Sequence, residues 1–164
     1  MHQIIYIVVK QEENATKYDA LEEAKVGLDT LVHERETVFD YYTTFDDSES
    51  NNSGEARFGE HPIAKPLYSD TGLNWFENAK QNQWEQFDEN LNKIRKEITD
   101  TSNYELYNDS MTQYRFRQLG EITGSSIILY DNYGRGLEND KKISNFIEDV
   151  NNDCLWIVPA DVHY

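Results

Sequence analysis

The chain is poor in the residues that cross-link a protein or anchor it in a membrane. It contains one cysteine, Cys154, in 164 residues, so no disulfide can form within the chain and a reducing compartment is its natural setting. The apolar run at residues 4–9 is far shorter than the ~20 residues that a membrane-spanning helix needs. It also lacks a basic leader and a small-residue cleavage site. We therefore expect a cytoplasmic protein with no membrane partner.

Positive charge is also scarce. The chain has 15 Lys and Arg against 31 Asp and Glu, a formal net charge of −16. Such an excess repels phosphate backbones, which argues against direct binding to nucleic acid. The acidic residues are spread along the chain, and this favours adaptation to high salt over a clustered surface that mimics nucleic acid. Mimicry remains the alternative interpretation of the charge.

Aromatic residues, by contrast, are plentiful. Eleven Tyr, seven Phe and three Trp make up 13% of the chain, and these side chains supply core volume although the hydrophobic fraction is only 38%. The length suits one domain of ordinary size. We therefore predict a single globular domain over residues 1–164.

Two strand–helix–strand patterns are visible, one at each end of the chain. The first has β-branched residues at 4–9, a helical face after Thr16, and an aromatic-rich strand at 38–45. The second has a strand at 126–130, a short helix, and a strand at 155–158 that Pro159 should end.

The middle of the chain predicts an insertion. Residues 46–69 are polar and interrupted by proline, which predicts a mobile acidic and polar loop. Residues 70–120 predict a helical hairpin, whose first helix, about 72–99, shows the strongest periodicity in the chain. Its apolar positions are Leu73, Phe76, Trp84, Phe87, Leu91, Ile94 and Ile98.

Together these patterns predict an α/β two-layer sandwich. Each strand–helix–strand unit should be a right-handed crossover with parallel strands, which gives a four-stranded sheet from two βαβ units. An all-parallel sheet is one possible arrangement. Alternation in the second strand favours the other, a ferredoxin-like split βαβ sheet with the helical hairpin inserted between the halves.

One group of residues is a candidate site. Asp131, Asp161 and His163 follow the third and fourth predicted strands. Because those strands should be parallel in either arrangement, we expect the three side chains to share the sheet edge where α/β proteins usually bind ligands. Two carboxylates and an imidazole could hold a divalent metal or act as acid and base. The alternative is coincidence, because 31 acidic residues place a carboxylate at nearly every loop.

The glycine-containing segment at 131–136 is not a nucleotide-binding loop. It lies between a strand and a helix, but it lacks the third glycine of a dinucleotide motif and no Gly-Lys-Ser/Thr follows. We predict instead a turn that needs glycine for a positive φ.

Two segments carry a resemblance to known proteins. Phe39-Asp40-Tyr41-Tyr42 and the ending at residues 155–164 resemble small acidic proteins of unknown function from haloarchaea and their viruses. The resemblance covers the first strand–helix–strand unit and the C-terminal part of the chain. It implies adaptation to salt and brings no activity or site residues.

The function that these observations favour is that of a non-enzymatic accessory or protein-interaction protein. The apolar stripe of the long helix could bind a protein partner or a second copy of the chain, although packing within the fold is the ordinary use of such a stripe. The alternatives are a metal-dependent enzyme using Asp131, Asp161 and His163, and an acidic inhibitor that mimics nucleic acid.

Overall fold

A computed structural model of the chain describes residues 1–33, 38–46, 54–120, 127–148 and 150–163. The predicted α/β class is confirmed, with helices packed on a five-stranded open sheet within this described part. The elements are β1 (His2–Lys10), α1 (Lys17–His33), β2 (Tyr41–Thr43), α2 (Gly54–Phe58), β3 (Lys65–Pro66), α3 (Asp70–Asp100), α4 (Asn103–Asn108), α5 (Ser110–Gly120), β4 (Leu129–Asp131), α6 (Asp140–Ile147) and β5 (Leu155–His163).

The strand order is β2-β5-β1-β4, and β3 also pairs with β5. β1 is parallel to β4, whereas β5 is antiparallel to β1, β2 and β3. The first predicted unit is a split βαβ, since β1 and β2 run the same way on either side of β5. The second prediction, that the third and fourth strands are parallel, is wrong, so the ferredoxin-like arrangement does not form.

The wrong strand direction has a physical reason. Seven of the nine residues of β5 are buried, and this apolar content requires a place between other strands. Apolar content therefore identifies a central strand but does not say which way it runs. Here β5 enters the sheet antiparallel, between β1 and the pair β2 and β3.

Pro159 does not end β5, which continues to His163. On one side of β5, β3 pairs with residues 156–157 and β2 pairs with residues 161–163. Pro159 lies opposite the gap between these two short strands, where no neighbouring strand needs its missing N–H. Residues 160–163 therefore stay in the sheet, whereas the sequence predicted that Pro159 would end the strand.

The hydrophobic core has one cluster on each face of the sheet. On one face α1 packs Leu21 and Leu28 against Ile5 and Ile7 of β1. On the other face α3 and α6 pack Phe76 and Ile143 against β1 and β5. Because successive side chains of β1 and β5 point to opposite faces, this packing determines which of them are left to form a functional site.

The insertion is more structured than predicted. Of the expected loop at 46–69, residues 47–53 lie outside the described residues, and the remainder includes α2 and β3. Residues 70–120 form three helices where two were predicted. Ser69 caps the start of α3, and Ser102 and Glu105 form a capping box at the start of α4.

The long helix extends well beyond the sheet. α3 has 31 residues and is about 46 Å long at ~1.5 Å per residue. All of α3 is described, and after Gln83 its single buried residue is Ile94. The last part of α3, α4 and α5 (residues 84–120) therefore form a projection, which we call the helical arm. No helix among the described residues is long and apolar enough to cross a membrane.

Candidate functional site

Asp131 stabilises a turn. Its Oδ1 accepts hydrogen bonds from the backbone N–H groups of Tyr133 and Arg135, both at 2.9 Å. Gly134, within the turn, has a φ of +73°, as the glycine pattern predicts. A methyl group on Gly134 would come within 2.9 Å of the backbone oxygen of Gly27 in α1. The carboxylate of Asp131 is thus used inside the fold.

Asp161 and His163 lie at the other end of the sheet. Asp131 pairs with Val8 of β1, whereas Asp161 pairs with Ile4. Four residues along a strand correspond to about 13 Å, and β1 itself separates β4 from β5. The predicted common edge is wrong because β4 and β5 run in opposite directions.

Asp161 is fully buried and is held by three side chains. It has 0% exposure. His2 Nδ1 donates to its Oδ1 at 3.0 Å, while Thr43 Oγ1 and Arg57 Nη1 donate to its Oδ2 at 3.3 and 2.5 Å. A buried carboxylate needs such partners, because an unpaired charge away from water is costly.

The second nitrogen of His2 faces a tyrosine. The Tyr41 hydroxyl lies 3.2 Å from His2 Nε2, and the Tyr41 ring stacks on the His163 ring with centroids 5.0 Å apart. His163 Nδ1 in turn contacts Asp40 Oδ2 at 3.0 Å. We call Asp161, His2, Tyr41, Thr43, Arg57 and His163 the Asp161 cluster.

The antiparallel register creates this cluster. β5 pairs His163 with His2 on one side and with Tyr41 on the other, and it pairs Asp161 with Thr43. Side chains two residues apart on a strand share a face, so His163 and Asp161 lie on one face with their neighbours. α2 then brings Arg57 onto that face.

Sequence reasoning found two members of the cluster and missed four. The sequence analysis gave His2 no role, and it placed Tyr41 in a predicted strand and Arg57 in a predicted loop. The sequence did contain one signal for the cluster: polar and apolar residues alternate at the end of β5, and this pattern marks one polar face of a strand. The antiparallel pairing was needed to connect them with the chain's first residues.

The predicted metal ligands do not converge. In the ranges that the structure describes, no group of three or more His, Cys, Asp or Glu residues is placed to hold a metal ion. Asp161 uses both carboxylate oxygens for neighbouring donors. The cluster is arranged to fix an imidazole and a hydroxyl.

An aromatic stack lies farther along the same face. Trp75 of α3 stacks between Tyr6 and His61, with ring centroids 5.6 and 4.7 Å away. Phe45 contacts the His61 ring at 4.7 Å. Burial in this stack lowers the pKa of His61, because the charged imidazolium loses hydration there. Burial likewise raises the pKa of Tyr6.

The helical arm is the second candidate surface. Its large apolar side chains that face solvent are 43% to 80% exposed: Trp84, Ile98, Tyr104, Tyr107, Met111, Tyr114 and Phe116. α3 and α5 are joined by Thr112, whose hydroxyl donates to Glu97 at 3.0 Å, and by an ion pair between Arg115 and Glu97. Polar contacts thus help hold the arm together while its aromatic rings remain in solvent.

The arm also has a distinct charge. Residues 84–120 contain seven acidic and five basic residues, a net of −2, against −14 for the rest of the chain. The net charge per residue of the arm is roughly half that of the remainder, so the arm repels another acidic protein less than the rest of the chain does on average.

Comparison with protein families gives a match over the whole chain. The model of a protein family described as a domain of unknown function (DUF7995) matches residues 1–164. No curated protein and no solved structure matches the chain.

Proposed function

The chain belongs to the DUF7995 family, and we propose that it is a protein-interaction protein whose partner binds the helical arm. The observation that supports this most is the outer half of α3, where Ile94 is the one buried residue after Gln83. A segment of 17 helical residues, about 25 Å long, extends without a core of comparable size beneath it.

The composition of the arm suits a binding surface. Tyr, Trp and Met are enriched in protein interfaces, and Tyr and Trp supply much of the binding energy there. Tyr104 and Tyr107 are the most exposed aromatic side chains among the described residues. Large exposed apolar patches mark interaction sites, and the exposed apolar side chains of the arm lie on three consecutive helices.

A second copy of the chain is the first partner to test. Two copies repel each other through net charges of −16, and the repulsion is weaker if they meet at the arm, whose net charge per residue is roughly half that of the rest of the chain. High salt would reduce it further, because the Debye length shrinks to ~3 Å at 1 M. An arm-to-arm dimer should therefore form in concentrated salt.

Matched variants test this proposal. The arm variant carries Trp84→Ser, Tyr104→Ser and Tyr107→Ser, and the control carries Tyr18→Ser, Tyr68→Ser and Tyr133→Ser, whose aromatic rings are also exposed but lie elsewhere. Sedimentation velocity in molar salt should show a dimer for the wild type and the control and a monomer for the arm variant.

If the wild type is a monomer, the proposed partner is a different protein. The three chains then serve as baits in extracts of the native host at native salt. A protein retained by the wild type and the control but lost by the arm variant supports the proposal. Equal retention by all three chains contradicts it.

The proposal also concerns the ionic environment in which the protein folds. We propose that the acidic surface is an adaptation to a salt-rich cytoplasm, as in the haloarchaeal proteins that the chain resembles. The support is that acidic residues occur in α1, α3, α4 and α6 and in the turns between elements. Its test is the salt dependence of folding, given in the Discussion.

A further inference from the structure

We infer that Tyr41 is a nucleophile toward uncharged acyl esters, with His2 as its general base and Asp161 as the group that orients the base. This inference concerns the Asp161 cluster and goes beyond the proposed binding function of the helical arm. It rests on three side chains in a row: a buried carboxylate, an imidazole and the hydroxyl of a partly exposed tyrosine.

The distances meet the requirement for an activated nucleophile. Such a site needs the nucleophile within about 2.6–3.2 Å of its base, with a third group orienting the base. The Tyr41 hydroxyl lies 3.2 Å from His2 Nε2, and His2 Nδ1 lies 3.0 Å from Asp161 Oδ1. These are the roles of a hydroxyl, a histidine and an aspartate in acyl transfer.

Asp161 fixes the tautomer of His2. An ionised carboxylate can only accept, so Nδ1 of the neutral ring must carry the hydrogen and Nε2 must present its lone pair to Tyr41. Asp161 cannot turn away from this role, because Thr43 and Arg57 hold its other oxygen. The carboxylate thereby keeps the imidazole in the orientation that accepts a proton from Tyr41.

Simple stabilisation of a buried charge does not account for the whole arrangement. Thr43 and Arg57 already supply two donors to Asp161, and His2 supplies a third. None of these three contacts involves Tyr41, whose side chain is 40% exposed. Tyr41 is thus partly exposed to solvent, and its hydroxyl contacts the base.

The reaction balances in two steps. Tyr41 Oη attacks the acyl carbon of the ester while its proton passes to His2 Nε2. The bond between the acyl carbon and the leaving oxygen then breaks, and the proton moves from His2 to that oxygen, releasing an alcohol or phenol. Water then attacks the acyl carbon while its proton passes to His2, the bond between the acyl carbon and Tyr41 Oη breaks, and His2 returns the proton to Oη as the carboxylic acid leaves.

The surroundings select the class of substrate. Asp40 lies beside His163 at the edge of the cluster and is exposed, and the whole chain has a formal net charge of −16. Phosphate esters and other anions are therefore repelled. The stacked rings of Tyr41 and His163 provide an aromatic surface, which suits an uncharged ester with an aryl group.

The test uses 4-nitrophenyl acetate with the full chain. Release of 4-nitrophenolate is measured for the wild type, Tyr41→Phe, His2→Gln and Tyr68→Phe. Tyr68 is the matched control, because its side chain is 41% exposed against 40% for Tyr41. Tyr41→Phe keeps the ring that stacks on His163 and removes only the hydroxyl.

We expect Tyr41→Phe and His2→Gln each to lower the initial rate by about 100-fold, the size of a general-base contribution, and Tyr68→Phe to leave it unchanged. Mass spectrometry of rapidly quenched wild type should place the acetyl group on Tyr41. Thermal melts of each variant show whether a lost rate reflects lost structure. A Tyr41→Phe rate equal to that of the wild type overturns the inference.

Discussion

At the scale of single residues, Asp161 is the clearest case of a charge that the fold depends on. It is fully buried, and Arg57 and His2 are its charged or ionisable partners. Removing one partner of a buried ion pair leaves the other uncompensated and typically costs 3–5 kcal/mol. Because Arg57 remains partly exposed, water can recover part of that loss.

We therefore expect Asp161→Ala to lower the free energy of unfolding by about 3 kcal/mol. Asp40→Ala is the control: this carboxylate is exposed and pairs with His163, and exposed pairs contribute about 0–1 kcal/mol. Urea unfolding in molar salt measures both. A loss below about 1 kcal/mol for Asp161→Ala would show that the paired carboxylate is dispensable.

His61 makes stability depend on pH. Burial lowers its pKa, so the folded state favours the neutral imidazole more than the unfolded chain does, where the pKa is about 6.5. The stabilising contribution is complete above about pH 6.5 and is lost as the pH falls through the unfolded and then the folded value. Acidification should therefore destabilise the protein through His61.

The variant His61→Phe should flatten this part of the pH profile, since it keeps an aromatic ring between Trp75 and Phe45 but cannot be protonated. His33→Phe is the control, because His33 is exposed at the end of α1. Thermal melts from about pH 7.5 to about pH 5.5 give the slope of the thermal midpoint against pH for the wild type and both variants. An unchanged slope in His61→Phe would assign the acid sensitivity to other groups.

At the scale of elements, one glutamine joins α3 to the sheet. The Oε1 of Gln83 accepts from the backbone N–H groups of Ile128 and Leu129 at 2.7 and 2.8 Å. Its Nε2 donates to the carbonyl oxygen of Leu137 at 3.2 Å. Gln83 is buried and marks the point beyond which α3 leaves the sheet.

Replacing Gln83 by Leu should lower the free energy of unfolding by about 3 kcal/mol, because each buried polar group left without a partner costs about 1–3 kcal/mol. Gln81→Leu is the control, since Gln81 is exposed and bonds only to Glu85 among the described contacts. Urea unfolding gives the change in the free energy of unfolding for each variant. Faster hydrogen exchange at Ile128 and Leu129 in Gln83→Leu would show that the destabilisation arises at these hydrogen bonds. Equal losses of unfolding free energy in both variants would contradict this role of Gln83.

The elements also show what sequence reasoning can and cannot predict. The apolar runs of β1 and β5 and the periodicity of α3 are local patterns, and the structure has these elements. Strand direction and the short element β3 depend on partners distant in the sequence, so local patterns did not predict them. Asp161 and His163 were identified as site residues, but Asp131 was grouped with them through the wrong strand direction, and His2 and Tyr41 were missed.

At the scale of the whole molecule, the net charge of −16 should make folding depend on salt. Self-repulsion favours the unfolded chain, and it is poorly screened in dilute buffer, where the Debye length is about 30 Å at 0.01 M. We expect the thermal midpoint to rise substantially from dilute buffer to molar sodium chloride. An unchanged midpoint would contradict salt adaptation and favour a functional role for the acidic surface.

The helical arm is the feature of the whole molecule on which the proposed function depends. A photo-crosslinking amino acid placed at Tyr107 in the native host, at native salt, tests it most directly, with the same group at Tyr18 of α1 as the control. We predict one discrete crosslinked species from position 107, either a second copy or one partner protein, and none from position 18. The same products from both positions, or none from position 107, would contradict the proposal.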